Sequence, residues 1–378
     1  MDGRAVETIK GYSGQHLYPH TLSDYANEIT RYVLGEIPYL PIMAVDCHDC
    51  YACDFHCQDC LADETKDWFR KTKNIFSDHY NDYINQKKLL SNIVAYSAAV
   101  GRMNVRYEMS GEGNPDLYMY RNELIEYAYN LGMKPVYISS GSAIDSRLCR
   151  TLVKYCSYIR ISLPGITDQS YRAYSGQDRF LFKDAVKLLR NIVALRKQYN
   201  REQELLIGAR CCLRPDIIDD LDYVSGLLLD DIGVDSFQIV KAIVNEGLVD
   251  QTMLIPKSVQ KTLNKLCNRP QVDLPSDLHQ YYNFRETEEP YRGLRCFAAE
   301  MTPILYGQFL LPCTHTRIIK DVNNVGVDLS VNGVSSLYKS AQECSTCCAI
   351  NDNTLFNRIY QTVKGIIDSG KIPEFRCY

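Results

Sequence analysis

The spacing of apolar and polar positions along the chain alternates between a strand period and a helix period. Pro41-Ile-Met-Ala-Val45 is a short apolar run that ends at a cysteine-rich loop. Val105-Arg-Tyr-Glu-Met109 alternates as a strand does, and it runs into the breaker-rich Ser110-Gly-Glu-Gly-Asn-Pro115. Helical spacing follows over Arg121 to Leu131 and stops at Gly132, after which Pro135-Val-Tyr-Ile-Ser139 is strand-like and enters Ser140-Gly-Ser. A helix around Ser146 to Lys154, a strand Tyr158 to Leu163, a helix Asp184 to Leu195, a strand Glu204 to Leu213, a helix Ile218 to Leu228 and a strand Ser236 to Ile243 continue the series. Six strands separated by helices predict an α/β fold, a partial (β/α)6 TIM-like barrel rather than a full eight-stranded one. After Lys261 the alternation breaks down, and a β-hairpin is expected at Met301 to Tyr306, turn Gly307-Gln308, and Phe309 to Leu311.

Composition narrows the class. The 42 Lys and Arg nearly cancel the 46 Asp and Glu, for a net charge of −4, so neither a nucleic-acid surface nor an anionic-membrane surface is expected. With 46% hydrophobic and 23% charged residues the chain is an ordinary globular one, and its 378 residues exceed what one core usually spans. The expected division is an N-terminal extension over 1–38, the partial barrel over 39–265, and a small α+β domain over 266–378. No apolar run reaches membrane-spanning length and the first residues lack a signal-peptide pattern, so a cytoplasmic location is expected. In that reducing setting the 16 cysteines are more readily metal ligands than disulfides.

Cys47, Cys50, Cys53, Cys57 and Cys60 lie within fourteen residues, and Cys296, Cys313, Cys344 and Cys347, with Cys348 beside them, form a looser set. The first set divides in three ways. Cys53-x3-Cys57-x2-Cys60 is a three-thiolate loop, Cys47-x2-Cys50-x2-Cys53-x3-Cys57 has ferredoxin spacing, and a pair such as Cys57-x2-Cys60, with His48 or His56 nearby, is half of a zinc site. Cys149, Cys156 and Cys267 read as small buried hydrophobes.

The region from about Leu40 to Gly247 resembles the core of the radical S-adenosylmethionine (SAM) enzymes, and several motifs carry the resemblance in the family's order. It implies that Cys53, Cys57 and Cys60 hold a 4Fe-4S cluster through three irons, leaving the fourth for the amino and carboxylate groups of SAM. Gly111, Glu112, Gly113 and Asn114 resemble the family's Gly-rich loop, whose backbone approaches the SAM amino group; glycines permit that approach. Arg160 and Ser162 in Ile-Arg-Ile-Ser-Leu-Pro-Gly165 resemble its ribose- and carboxylate-contacting strand, and Ser140 joins the same cofactor-binding set. The chain departs from the family twice. Asp59 stands where an aromatic usually precedes the last cysteine, which leaves Phe55 or Tyr51 to pack against adenine, and Ser110-Gly-Glu-Gly113 replaces Gly-Gly-Glu-Pro.

The resemblance extends to the C-terminal region, where Cys296, Cys313, Cys344 and Cys347 resemble the ligands of a twitch domain, a shortened SPASM extension with one auxiliary 4Fe-4S cluster. A structural zinc knuckle is the alternative for that set. The family chemistry implied is one-electron reductive cleavage of SAM, with a flavodoxin- or ferredoxin-type donor, and hydrogen abstraction by a 5′-deoxyadenosyl radical. Strand alternation should turn either Cys211 or Cys212 into the barrel, where a thiol could return a hydrogen atom to a substrate radical; packing is the competing role. A peptide-modifying oxidation, cross-linking or epimerisation is expected, with oxidation or epimerisation of a sugar or aminocyclitol as the rival. A non-catalytic ferredoxin-like electron carrier is the reading from another class.

Overall fold

The computed structural model describes residues 21–48, 50, 52–58, 60, 79–110, 113–241, 262, 265–266, 268–273, 297–306, 309–311 and 350–369. Six strands, β1 (Ala44–His48), β2 (Arg106–Met109), β3 (Lys134–Ser139), β4 (Tyr158–Leu163), β5 (Leu206–Leu213) and β6 (Ser236–Lys241), pair in chain order and all in parallel. Helices α2 (His79–Ala98), α3 (Arg121–Asn130), α4 (Ser146–Tyr155) and α6 (Phe182–Gln198) alternate with them, as the apolar periodicity predicts; α1 (Thr21–Val33) precedes β1. A further short helix, α5 (Asp168–Ser175), follows β4.

The sheet does not end at β1. The order is β7-β6-β5-β4-β3-β2-β1-β8-β9, with β7 (Val272–Asp273) beyond β6 and the hairpin strands β8 (Ile304–Tyr306) and β9 (Phe309–Leu311) beyond β1. β8 runs parallel to β1 with Asp46 opposite Ile304, and β9 returns antiparallel. The expected hairpin therefore forms, and it pairs with the barrel's first strand; its turn, Gly307-Gln308, lies outside the described residues.

Side chains from alternate strand positions build the core. Val45, Tyr107, Met109, Tyr137, Ile159, Ile161, Ile207, Ala209, Phe237 and Ile239 join one large buried cluster with helix residues such as Leu124, Leu152 and Leu189. The positions between them point the other way, into the barrel. A second cluster gathers Tyr25 and Ile29 of α1, Leu40, Met43, Phe297 and Met301 of α8 (Phe297–Met301), and Phe356 of α9 (Ile350–Asp368). Tyr25 stacks on Phe356 at 5.1 Å, joining the two ends of the described chain.

Two expected elements differ in detail. The first strand begins at Ala44 rather than Pro41, because Asp46 and His48 line the barrel while the earlier apolar residues Leu40 and Met43 pack in the second cluster. The helix expected over 218–228 is three short pieces: a 3-10 turn Pro215–Asp220 opened by proline, α7 (Leu221–Gly226), and a π turn Leu227–Ile232 closed by Gly233.

Candidate active site at the carboxyl ends of the strands

The cysteine loop leaves β1 at its carboxyl end and is fastened on two sides. On one, Gly113 N donates to Cys50 O at 3.0 Å and Asn114 N donates to Ala52 O at 2.8 Å. On the other, His56 N donates to Ser175 O at 2.7 Å and Gln58 N to Tyr174 O at 3.2 Å, at the end of α5. That helix is set by a reciprocal cap, with Ser170 N donating to Thr167 Oγ1 and Thr167 N to Ser170 Oγ, and it stops at Gly176 with φ of 64°. A Cβ at Gly176 would lie 3.1 Å from His56 Cβ, so the same glycine ends the helix and admits the loop.

Phe55 is buried and stands edge-on to Tyr171 at 6.0 Å, so the core takes it up as the loop's apolar anchor. Its neighbours Cys53, Cys57 and Cys60 are half-buried, and Cys60 N closes a turn on Cys57 O at 3.2 Å. Among the described residues no three His, Cys, Asp or Glu side chains converge as ligands of a single ion. Three half-buried thiols on one loop tethered on both sides are a donor set that would fit an iron–sulfur cluster through three irons. Cys47 sits on β1 among the helix-facing residues, fully buried, and Cys50 is also buried in that cluster, so the ferredoxin-spaced run is divided between strand and loop.

Asn114 links three loops. Its Nδ2 donates to Asp54 Oδ1 at 2.9 Å, on the cysteine loop, and to Ser142 Oγ at 2.7 Å, after β3; its Oδ1 accepts from Asp116 N at 3.2 Å. Ser142 Oγ lies 3.0 Å from Ser140 Oγ. Beneath them Asp116 accepts from Tyr137 Oη at 2.8 Å and from Ala143 N at 3.3 Å, and burial raises its carboxyl pKa against the lowering effect of those hydrogen bonds. Asp54, Asp116 and Ser142 were not among the residues the sequence singled out. The available signal was Asn114-Pro115, an Asn placed to cap a turn.

The barrel-facing wall carries Arg160 and Ser162 on β4, Arg210 and Cys212 on β5 and Gln238 on β6, with Ser162 opposite Arg210 and Arg210 opposite Gln238. Arg160 Nη1 donates to Gln238 Oε1 at 3.2 Å. Cys211 faces the helices instead, inside the apolar cluster, and burial raises its pKa well above the ordinary thiol value. Across the barrel, His48 Nε2 lies 3.0 Å from Asp46 Oδ2, and Ser110 Oγ donates to Asp46 Oδ1. Gly111, Glu112, Tyr51, Cys267, Cys296, Cys313, Cys344, Cys347, Cys348 and Cys377 lie outside the described residues.

The six-stranded parallel β/α array thus places the three-cysteine loop at the carboxyl end of its first strand. No family model matches the chain, and no curated protein does. Among solved structures it is similar to SuiB of Streptococcus suis, with a TM-score of 0.53 and 12% identity over 82% of this chain and 69% of SuiB. Two further SuiB structures match likewise. The one bound to S-adenosylmethionine has a TM-score of 0.51 and 14% identity, covering 82% of this chain and 66% of that one. The one bound to the precursor peptide SuiA has a TM-score of 0.52 and 14% identity, covering 82% and 67%. At such identity the likeness is one of fold.

Proposed function

We propose that the protein is a radical SAM enzyme that modifies a peptide. The observation that carries the reading is the placement of Cys53-x3-Cys57-x2-Cys60 beyond β1, hydrogen-bonded on one side to Gly113 and Asn114 and on the other to the end of α5. Cys53, Cys57 and Cys60 would hold a 4Fe-4S cluster, and Gly111 to Asn114, Ser140, Arg160 and Ser162 would line the SAM site. When bound, cluster and SAM supply a 5′-deoxyadenosyl radical by one-electron reductive cleavage, and that radical removes a hydrogen atom from a substrate C–H bond.

The chain's own residues hold the reactants. Asn114 fixes the cysteine loop to the loops after β2 and β3, and Phe55 anchors it in the core. Cys212, rather than the helix-facing Cys211, is the thiol on the barrel side, and in an epimerising reaction it would return a hydrogen atom. A peptide substrate is favoured over a sugar or aminocyclitol because the SuiB fold accommodates the precursor peptide SuiA in that protein. Residues 39–265 would form the catalytic unit, and Cys296, Cys313, Cys344 and Cys347 within 266–378 would hold an auxiliary 4Fe-4S cluster. A flavodoxin- or ferredoxin-type donor would supply the electron. Among the described residues no helix is long and apolar enough to cross a membrane.

The test is SAM turnover by anaerobically reconstituted protein with dithionite, read as 5′-deoxyadenosine by mass spectrometry, with the Cys53→Ala/Cys57→Ala/Cys60→Ala variant beside the wild type. Product from the wild type alone is expected. Iron-loaded wild type that makes none refutes the assignment and returns the electron-carrier reading.

A further inference from the structure

Many of the buried hydroxyls in this chain are partnered. Tyr118 Oη donates to Gln86 Oε1 at 3.3 Å, Tyr137 Oη to Asp116 Oδ1 at 2.8 Å and Ser97 Oγ to Ile42 O at 2.9 Å. Two hydroxyls of α5 are not. Tyr171 and Ser175 are both 0% exposed, and neither Tyr171 Oη nor Ser175 Oγ has a hydrogen-bond partner among the described residues. A hydroxyl taken out of water without a partner is destabilising, and Phe or Ala would fill the same space without that cost. Two such groups on one short helix point to an acceptor that binds beside it.

Residues 171 and 175 are four apart, one turn along a single face of α5. That face meets the cysteine loop: the Phe55 ring stands edge-on to Tyr171 at 6.0 Å, and Ser175 O accepts from His56 N at 2.7 Å. Cys57 lies between His56 and Gln58, the two residues strapped to the end of α5, so it belongs to the stretch of loop held against this helix. Burial, and after it the charges of Cys57 and then Asp54, push the Tyr171 phenol well above its ordinary pKa, so it stays protonated and able to donate.

An iron-bound thiolate or sulfide is an anionic acceptor, and hydrogen bonds to cluster sulfurs are among the factors that set a cluster's reduction potential. We infer that Tyr171 and Ser175 donate hydrogen bonds to sulfur on the Cys57 side of the cluster and so favour its reduced form. The inference rests on the cluster assignment made above and adds to it two donors that lie outside the cysteine loop. An added electron makes the sulfurs more negative and each such bond stronger, which gives the effect its sign. Asp54, which already accepts from Asn114 Nδ2 at 2.9 Å, is the competing acceptor for the phenol.

The test uses the full-length protein, reconstituted anaerobically, with Tyr171→Phe and Ser175→Ala, each of which removes one oxygen and keeps the rest of the side chain. The midpoint potential is read by EPR redox titration on the iron–sulfur signal that SAM perturbs, which separates this cluster from an auxiliary one. Tyr171→Phe should move the one-electron reduction equilibrium about tenfold towards the oxidised form, or about 59 mV, and Ser175→Ala should move it in the same direction. A movement of less than about twofold, or one towards the reduced form, overturns the inference for the residue concerned; it is the result expected of Tyr171→Phe if the phenol turns to Asp54. Melting supplies a second sign. In the iron-free protein Tyr171→Phe should melt no lower than the wild type, because the orphaned hydroxyl contributes nothing there, whereas in the cluster-loaded protein it should melt lower. A hydroxyl with a purely structural role would lower both, and that result also overturns the inference. Failure of the cluster assignment shows separately, since the wild type itself would then give no SAM-responsive iron–sulfur signal and no 5′-deoxyadenosine.

Discussion

Replacing Asn114 by Ala should loosen the cysteine loop without touching a cysteine. The side chain is 2% exposed and makes three hydrogen bonds, to Asp54, to Ser142 and from Asp116 N. At about 1 kcal/mol net each, with no extra allowance for the Asp54 charge because that residue is exposed, the loss is about 3 kcal/mol. Spread over 378 residues, whose unfolding entropy is about 0.8 kcal/mol per K, that is a fall of about 4 °C in Tm. If the loss is confined to the loop, it appears instead as up to about a hundredfold weaker retention of iron. Asn114→Ala is therefore reconstituted anaerobically, challenged with a graded iron chelator, and melted beside the wild type. Asn114→Asp gives the sign. It keeps an acceptor for Asp116 N but sets a carboxylate against Asp54 in place of a donor, so near neutral pH it should be at least as damaging as Ala. The defect should shrink as the pH falls, when a shared proton restores one bond of the pair. Asn114→Ala with wild-type Tm and wild-type iron retention would refute the role given to this residue.

Two further outcomes follow from the same geometry. A Cβ at Gly165 would lie 2.2 Å from Tyr171 N and 2.4 Å from Ser170 C, both backbone, so Gly165→Ala must displace the start of α5 and with it the strap holding His56 and Gln58; a loss of about 2–4 kcal/mol in denaturant unfolding is expected, and a change below about 0.5 kcal/mol would contradict the packing. Burial raises the Cys149 thiol to about 11 and lifts Cys156 and Cys211 further, so iodoacetamide at pH 8.5 should label Cys53, Cys57 and Cys60 of the iron-free protein long before these three; because the folded pKa of Cys149 exceeds its unfolded value of about 9, folding should also lose stability as the pH rises from 9 towards 11.

Much of the barrel was legible because its strands are buried on the helix side and spaced by helices of ordinary period. Ile159, Ile161 and Leu163 betray β4 even though Arg160 and Ser162 interrupt them. The same polar interruptions misplace β1, where Asp46 and His48 belong to the strand while Leu40 and Met43 serve another cluster. Contacts between distant segments left no local trace. Tyr25 and Phe356 stack across most of the chain, and nothing in the period of either helix announces the other. At the site, the three-cysteine spacing is a local signal and was readable. The Asn114 bridge is not, since it exists only once the loops after β1, β2 and β3 meet at one end of the sheet.

The pairing of β8 with β1 bears on how the cysteine loop is held. In a six-stranded partial barrel β1 would be an edge, with one row of backbone groups open and a terminus free to fray. Here Cys47 and His48 stand opposite Leu305 and Tyr306 on one side, while Cys47 stands opposite Met109 on the other. Met43 N also donates to Met301 O at 2.8 Å and Asp46 N to Pro303 O at 3.2 Å, so the segment is clamped before and along the strand. The cysteine loop thus starts from an interior strand rather than an edge, and its far side is strapped to α5. A loop fixed at its root, at its apolar anchor Phe55 and at two backbone straps would have little freedom left to lose on taking up the cluster proposed for its thiols. The C-terminal hairpin therefore contributes to the site through β1, whatever further chemistry the cysteines of that region carry.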